Sequence, residues 1–151
     1  MAASEQLGSV DAPAPSPGIA GGFVHLHVHT QYSIVDGLVR VPELMAKVRD
    51  AGMPGVALSD AGNLFAMVKF YTRALAEGLK PIVGVELALL DREDSNVSDS
   101  LLLLCQNRAG YRNLTRLVTR GYLEGQHRGR PGIYPDWLDQ TTTAGLIALS
   151  G

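Results

Sequence analysis

Three histidines alternate with apolar residues near the start of the chain, at His25, His27 and His29. Alternate residues of an extended strand lie on one face, about 6.8 Å apart along the strand, so the three imidazoles are expected to project the same way. At this spacing neighbouring imidazoles reach one cation or two adjacent ones, and imidazole suits zinc, manganese or iron. A half-exposed strand that happens to carry histidine is the alternative. We favour metal binding because three of the four histidines share this segment.

Three carboxylates follow runs of residues that read as strands, and they complete a candidate site. Asp36 lies a few residues past the histidine segment, Asp60 directly follows a short apolar run, and Glu86 ends another. In parallel α/β folds the carboxyl ends of the strands carry the site. Each carboxylate alone also fits a turn or a helix cap, and Asp60 is a candidate cap for the helix that follows. Together with His27 and His29, they predict the mouth of a metal-dependent hydrolase.

The elements that must position these side chains alternate between strand and helix. The patterns predict strands at 23–30, 55–59, 82–86, 101–105 and 146–150, helices at 41–52, 63–78 and 109–123, and a basic glycine-rich loop at 125–135. Asn63 is the predicted N-cap of the second helix. The strands are apolar throughout, which predicts parallel pairing in a sheet covered on both faces or closed into a barrel. No G-x-G-x-x-G follows the first strand, so a doubly wound nucleotide-binding sheet has no support.

The composition excludes several classes of protein. Of 151 residues, 46% are hydrophobic and 19% charged, which is unlike a disordered chain. No run approaches the ~20 apolar residues of a membrane span. The net charge of −2 gives no general attraction to nucleic acid or membrane. The single cysteine, Cys105, excludes a disulfide scaffold and fits a reducing compartment, so we expect a cytoplasmic protein.

Arginines recur every four residues along the third predicted helix, at Arg108, Arg112, Arg116 and Arg120. This spacing drifts by about 40° per step on an α-helix, so the arginines form a slanted stripe. Arg112 and Arg116 are candidate contacts for DNA phosphates or an acidic partner. The alternative, a solvated helix face, is the interpretation we favour, since arginine commonly covers helix surfaces.

Three further side chains have simpler predictions. Trp137 follows the glycine-rich loop and is predicted as a core or lid anchor. Cys105 ends an apolar run and is predicted as a small buried hydrophobic residue rather than a nucleophile. His127 lies alone in the basic loop and is predicted to be solvated.

Five segments then make the sequence recognisable, in order and without large gaps over residues 23–151: FVHLHVHTQYSIVDGL, GMPGVALSDAGNLFAMVKFY, GLKPIVGVEL, NRAGYRNLTRLVTRGY and GLIALSG. Together they resemble the N-terminal PHP (polymerase and histidinol phosphatase) domain of bacterial DNA polymerase III alpha subunits. The HLHVHT segment alone fits any PHP phosphoesterase, whereas NLFAMVKFY, GLKPIVG and GYRNLTRL indicate the polymerase branch. The resemblance implies an α/β fold, a distorted (β/α)7 PHP barrel of which only the N-terminal part is present.

The resemblance also implies a metal site, because the barrel mouth of metal-binding members holds up to three divalent ions. The positions that match the family's ligands are His27, His29, Asp36 and Glu86. Two positions depart from the family pattern, since Ala61 and Ser100 stand where those members have histidine. Neither side chain replaces imidazole as a metal donor. We therefore expect a degenerate, partial site for Zn²⁺ or Mn²⁺ and no catalytic residue in this segment.

By the same resemblance, the parent protein is a DNA-directed DNA polymerase of DNA replication. It would use Mg²⁺ held by carboxylates of a palm domain outside these residues. The segment itself would be a scaffold and a docking surface for the separate proofreading exonuclease subunit, among other holoenzyme subunits, with DNA bound by the parent protein. The first alternative is a free-standing, metal-dependent PHP phosphoesterase. The second is a truncated product without a function of its own.

The length supports an incomplete domain. Residues 1–22 are small and rich in proline and glycine, without the apolar core of a secretory signal, and are predicted to be a flexible tail. Residues 23–151 fall well short of the about 250 residues of a typical (β/α) barrel. We therefore expect the N-terminal portion of a PHP domain, whose sheet edges would be left uncovered when it is isolated.

Overall fold

The computed structural model describes residues 22–34, 36–92, 98–127 and 130–150. The elements, in chain order, are α1 (Val41–Asp50), β1 (Gly55–Leu58), α2 (Met67–Ala76), β2 (Lys80–Leu90), β3 (Ser98–Cys105), α3 (Arg108–Glu124), β4 (Gln126–His127), β5 (Arg130–Ile133), a short 3-10 helix (Pro135–Trp137) and β6 (Leu146–Ser150). The predicted α/β fold class is confirmed. The predicted tail, 1–22, lies outside the described residues except for Gly22.

Six strands form one mixed sheet in the order β4-β5-β2-β3-β6, with β1 paired to β2 outside that path. The long strand β2 changes neighbours along its length. It is parallel to β1 over its first residues and parallel to β5 at Ala88 and Leu89. The predicted parallel pairing is confirmed for β1 and β2, whereas β5 lies in a segment that was predicted as a loop.

Strand β3 runs against both of its neighbours, which corrects the prediction of purely parallel pairing. It is antiparallel to β2 on one side and to β6 on the other. The connection explains the direction, because β2 ends at Leu90 and β3 already begins at Ser98. Parallel neighbours need a crossover of about a dozen residues or more, usually a helix.

The histidine segment is extended but is not the continuous strand that was predicted. It makes isolated parallel bridges, His25 with Val56 and Thr30 with Val39. Beside β1, the backbone N–H of Val28 donates to the hydroxyl of Ser59 at 2.7 Å, and this hydroxyl donates to the carbonyl of Val28 at 3.0 Å. A side chain therefore takes the place of a backbone partner, and the ladder is interrupted.

Helix α2 begins four residues later than predicted. The side-chain oxygen of Asn63 accepts from the N–H of Phe65 at 3.0 Å, and its amide donates to the carbonyls of Tyr32 and Ala61. Asn63 therefore fixes a turn before the helix, and Ala66 occupies the N-cap position. Helix α3 has a true side-chain cap, since Asn107 accepts from the N–H of Gly110 at 3.0 Å.

The predicted loop 125–135 contains the paired strands β4 and β5, which corrects that prediction. Its glycines allow close packing: a Cβ on Gly125 would lie 2.0 Å from the carbonyl oxygen of Gly132, and one on Gly132 would lie 2.7 Å from Leu90. His127 is also not simply solvated. It is half-buried in β4, and its Nε2 is shielded from solvent without a hydrogen-bond partner among the described residues.

Two apolar clusters hold the helices on the outer face of the sheet. One packs α1 and α2 against β1 around Met45 and Phe70, and the other packs α3 against β2, β3 and β5 around Leu114 and Trp137. Full burial of a side chain such as Phe70 contributes roughly 1.5–3 kcal/mol. Trp137 is thus confirmed as a core anchor.

The other face of the sheet, called the inner face below, carries a smaller cluster of Ala57, Leu102 and Leu104. Directly opposite residues of an antiparallel pair share a face. Glu86 pairs with Leu102, so its side chain lies on this inner face above the apolar cluster. None of the helices in the described ranges is long and apolar enough to cross a membrane.

Candidate metal centre

His27, His29 and Glu86 meet on the inner face, as the sequence predicts. The Nε2 atom of His29 lies 2.5 Å from Glu86 Oε2, and the Nε2 atom of His27 lies 3.1 Å from the same oxygen. The two Nε2 atoms are 3.2 Å apart. One ligand atom from each residue lies within 4.8 Å of the other two, and this is the one group of its kind among the described residues. The fold thus brings together side chains from two distant parts of the chain. We call this end of the inner face the mouth.

The backbone around Glu86 fixes its side chain at the mouth. Its N–H donates to the carbonyl of Asp60 at 3.2 Å, and its carbonyl accepts from the N–H of Gly62 at 2.8 Å. The hydroxyl of Ser100 donates to Glu86 Oε1. Ala61 forms an isolated bridge with Glu86. Both positions that depart from the family pattern therefore lie next to Glu86.

The surroundings of Glu86 keep it ionised. Partial burial raises the pKa of its carboxyl. Hydrogen bonds with Ser100, His27 and His29 and the charge of His29 together lower this pKa by more than burial raises it, so the pKa lies below its usual value. An ionised carboxylate is the form that binds a divalent cation.

Asp36 lies on the opposite side of the His29 ring from Glu86. Both of its carboxylate oxygens are 3.3 Å from His29 Nδ1. A carboxylate on Nδ1 favours a proton on that nitrogen, so Nε2 is the atom that would bind a cation in place of its hydrogen bond with Glu86. Asp36, which was predicted as a metal ligand, therefore contacts the ring of His29 and is not a member of the group of three. His25, the third histidine of the segment, packs edge-on against Phe23 with ring centroids 4.7 Å apart and lies outside the group.

Asp60 is fully buried and anchors the loop that leads to Asp36. It accepts hydrogen bonds from the Thr30 N–H at 2.6 Å and from the Thr30 and Ser33 hydroxyls at 2.8 Å. The Ser33 hydroxyl also accepts from the N–H of Ala61 at 3.0 Å. Asp60 is thus no cap for α2. The sequence did indicate that Thr30 has a buried hydrogen-bond partner, because Thr30 stands on the apolar side of the histidine segment.

An open cleft of about 440 Å³ is lined by His29, Asp36 and Glu86. Its rim is apolar and aromatic, and includes Ile34, Phe65 and Tyr122, all of which are exposed. Sequence patterns did not single out these rim residues, because isolated apolar residues in loops and on helices show no period.

The donors at the mouth fit one divalent ion. Two imidazole nitrogens and one carboxylate oxygen suit Zn²⁺ or Mn²⁺, with further positions open to water or substrate. Ala61 offers no donor, and the hydroxyl of Ser100 is engaged by Glu86. Among the described residues, His27, His29 and Glu86 are the one group of three possible ligands for an ion.

The arginines of α3 divide into two kinds. Arg120 pairs with Glu124 at 2.9 Å and lies over the ring of Trp137 at 3.9 Å, so it belongs to the packed part of the helix. Arg112 and Arg116 are exposed and make no ion pair within the described ranges. The interpretation of these two arginines as contacts for DNA or a partner stays a prediction.

A mixed α/β sheet with an H-x-H pair and a glutamate at its mouth is consistent with a PHP-type domain. The profile of the PHP domain family matches residues 25–151, which is most of the chain. The chain belongs to the PHP domain family.

Relatives that are 40–48% identical to this chain share one name. The chain is 48% identical over 128 residues to the DNA polymerase III subunit alpha of Pseudomonas aeruginosa and 44% identical over 129 residues to that of Vibrio cholerae. It is 40% identical over 136 residues to that of Borreliella burgdorferi. Each match covers 85% of this chain, whereas the chain spans only 11–12% of the relatives' length.

Solved structures support the fold. A protein assigned as a metal-dependent phosphoesterase from Bifidobacterium adolescentis matches with a TM-score of 0.52 and 22% identity, over 71% of this chain and 35% of that one. An amidohydrolase from Chromobacterium violaceum matches with a TM-score of 0.51 and 17% identity, over 65% of this chain and 32% of that one. Both matches are consistent with a partial PHP barrel.

Proposed function

We propose that this chain is the N-terminal PHP region of a DNA polymerase III alpha subunit. The observation that carries the proposal is the 48% identity over 128 residues to a protein of that name. The parent protein would then be a DNA-directed DNA polymerase of replication, with Mg²⁺ bound in a palm domain outside these residues. The free thiol of Cys105 fits the reducing cytoplasm.

Within that protein we assign the segment a structural role as scaffold and docking surface for the proofreading exonuclease subunit. Two features support this role: the ligand set at the mouth is incomplete, and the rim exposes Ile34 and Phe65. His27, His29 and Glu86 would hold a single Zn²⁺ or Mn²⁺ ion, with Asp36 orienting the His29 ring. A bound ion would act as a Lewis acid toward a phosphate oxygen.

Primer extension by the full-length protein tests this proposal. The protein is expected to extend a primed template with deoxynucleoside triphosphates and Mg²⁺, and chelation of Mg²⁺ is expected to abolish extension. A full-length protein that ends within about a hundred residues of Gly151 and does not extend primers would contradict the proposal.

A free-standing phosphoesterase is the second candidate, since this chain shares its fold with a protein assigned to that class. Hydrolysis of p-nitrophenyl phosphate and of a recessed DNA 3′ end distinguishes the two functions. We expect neither activity above background, because Ala61 and Ser100 leave the site without the ligands for a second ion. Metal-dependent hydrolysis that is lost in His27→Ala would favour the phosphoesterase.

A further inference from the structure

A second cleft, of about 620 Å³, lies between the start of α1 and the outer side of α2. Gln31, Tyr32, Arg40, Lys69 and Arg73 are among its lining residues. It shares only Tyr32 with the lining of the mouth. The cleft is therefore a separate feature of the surface, and neither the metal centre nor the docking role accounts for it.

The cleft is lined by positive charge without negative charge. Arg40 immediately precedes α1, whereas Lys69 and Arg73 lie one turn apart on α2. No aspartate or glutamate belongs to the lining. Since the whole chain has a formal net charge of −2, this concentration of cations is local and does not follow from the composition.

Carboxylates beside the cleft pair with two of its three cations. Glu43 is 4.0 Å from Arg40, in an exposed pair that contributes little. Glu77 lies 2.7 Å from both Arg73 and Arg49, and Arg49 also pairs with Asp50 at 3.1 Å, so two carboxylates balance these two guanidinium groups. The unbalanced positive charge of the cleft therefore comes from Arg40, whose ion pair is weak, and from Lys69.

Lys69 is held at the cleft wall without a counter-charge. Its ammonium donates to the hydroxyl of Tyr32 at 2.7 Å and lies 5.5 Å from the centroid of that ring. No carboxylate in the described ranges forms an ion pair with it. An ammonium has three N–H donors, so two remain for a ligand.

These observations indicate an oxyanion ligand that meets several cations at once. Guanidinium groups bind phosphate through paired N–H donors, and lysine adds a point charge. We propose that this cleft binds phosphate groups of a nucleic-acid backbone. The choice of DNA over free phosphate rests on the proposed function, because a polymerase subunit works beside DNA.

The test uses the full-length protein and a labelled primed duplex, with affinity measured by fluorescence anisotropy over a range of KCl concentrations. The variant is Lys69→Gln combined with Arg73→Gln, which leaves Glu77 paired with Arg49. Loss of two phosphate contacts is expected to weaken binding about tenfold or more at about 0.1 M salt and to reduce the slope of log affinity against log salt by roughly 0.9 per contact.

Two controls separate the cleft from general charge. Lys47→Gln combined with Lys80→Gln removes the same charge from exposed lysines outside the cleft, and should change affinity less than twofold without altering the salt slope. Lys69→Arg keeps the cation and should retain binding. Equal losses in the cleft and control variants would overturn the proposal, as would an unchanged salt slope in the cleft variant.

Calorimetry with inorganic phosphate distinguishes the source of the phosphate. Phosphate binding that the cleft variant loses, with DNA affinity unchanged, would overturn the assignment to DNA. Primer extension at saturating DNA separates this inference from the proposed function. If the wild-type protein extends primers but the cleft variant binds DNA as well as the wild type does, only the proposal of a DNA-binding cleft is contradicted. If the wild-type protein does not extend primers, the polymerase proposal is contradicted.

Discussion

At the scale of single residues, the two ring nitrogens of His29 have different partners. Nε2 faces Glu86 and His27, and Nδ1 faces Asp36. Spacing alone also grouped His25 and Asp60 with these residues, and it was the resemblance to the PHP family that selected His27, His29 and Glu86. The place of Asp36 was not predictable from spacing, because it depends on the loop that buried Asp60 holds in position.

Asp36→Asn is expected to lower the affinity of the mouth for Zn²⁺ or Mn²⁺ about tenfold, the usual cost of losing a carboxylate that orients a metal-binding histidine. Competition against a chromophoric chelator, with the full-length protein, measures the change. Glu43→Gln, an exposed carboxylate of α1, is the matched control. A loss of binding as complete as that in Glu86→Gln would instead make Asp36 a direct ligand.

Asp60→Asn should loosen the loop that carries Asp36. A buried hydrogen bond to a charged group contributes about 1.5–3 kcal/mol, and this carboxylate accepts three. We expect amide exchange at Thr30 and Ala61 to accelerate at least about tenfold, measured by hydrogen–deuterium exchange of the full-length protein. The same peptides in Asp36→Asn serve as the comparison. Unchanged protection would mean that Asp60 does not anchor the loop.

At the scale of the elements, the sequence predicted the bounds of an element well where a single apolar periodicity ran along its whole length. Helix α3 was predicted within one residue at each end, because Leu114 and Leu117 mark its buried side. Strand β5 was missed, since the packing glycines Gly125 and Gly132 give the composition of a loop. The direction of β3 depends on its partners, and the apolar run itself carries no direction.

The exposed arginines of α3 offer a test at the same scale. We favour a solvated face, so Arg112→Glu combined with Arg116→Glu should change the affinity for DNA and for the exonuclease subunit less than twofold. Anisotropy with DNA and co-purification with the subunit measure the two affinities. A tenfold loss of either would make this stripe a binding surface.

At the scale of the whole molecule, the sheet has an unfinished side. Within the described ranges β6 pairs with β3 alone, and Ile147 and Leu149 are exposed on the inner face beside Leu104 and Leu102. The predicted fold class explains this side, since a closed barrel would cover it.

Residues 1–151 produced alone are therefore expected to be poorly soluble or only partly folded, because within the described ranges β6 is paired on one side only and Ile147 and Leu149 are exposed. Thermal unfolding followed by circular dichroism is the measurement. The full-length protein, digested to its stable domains, provides the reference. A sharp cooperative transition for the isolated chain would show that it is a complete folding unit.

The metal content of the full-length protein, saturated with Zn²⁺ or Mn²⁺ and freed of weakly bound ions, tests the degenerate mouth most directly. His27→Ala combined with His29→Ala serves as the blank for ions bound elsewhere in the protein. We predict a difference of at most one ion per chain, with no phosphatase activity in the wild type. A difference of two or three tightly bound ions, together with phosphatase activity that the double variant lacks, would contradict the account.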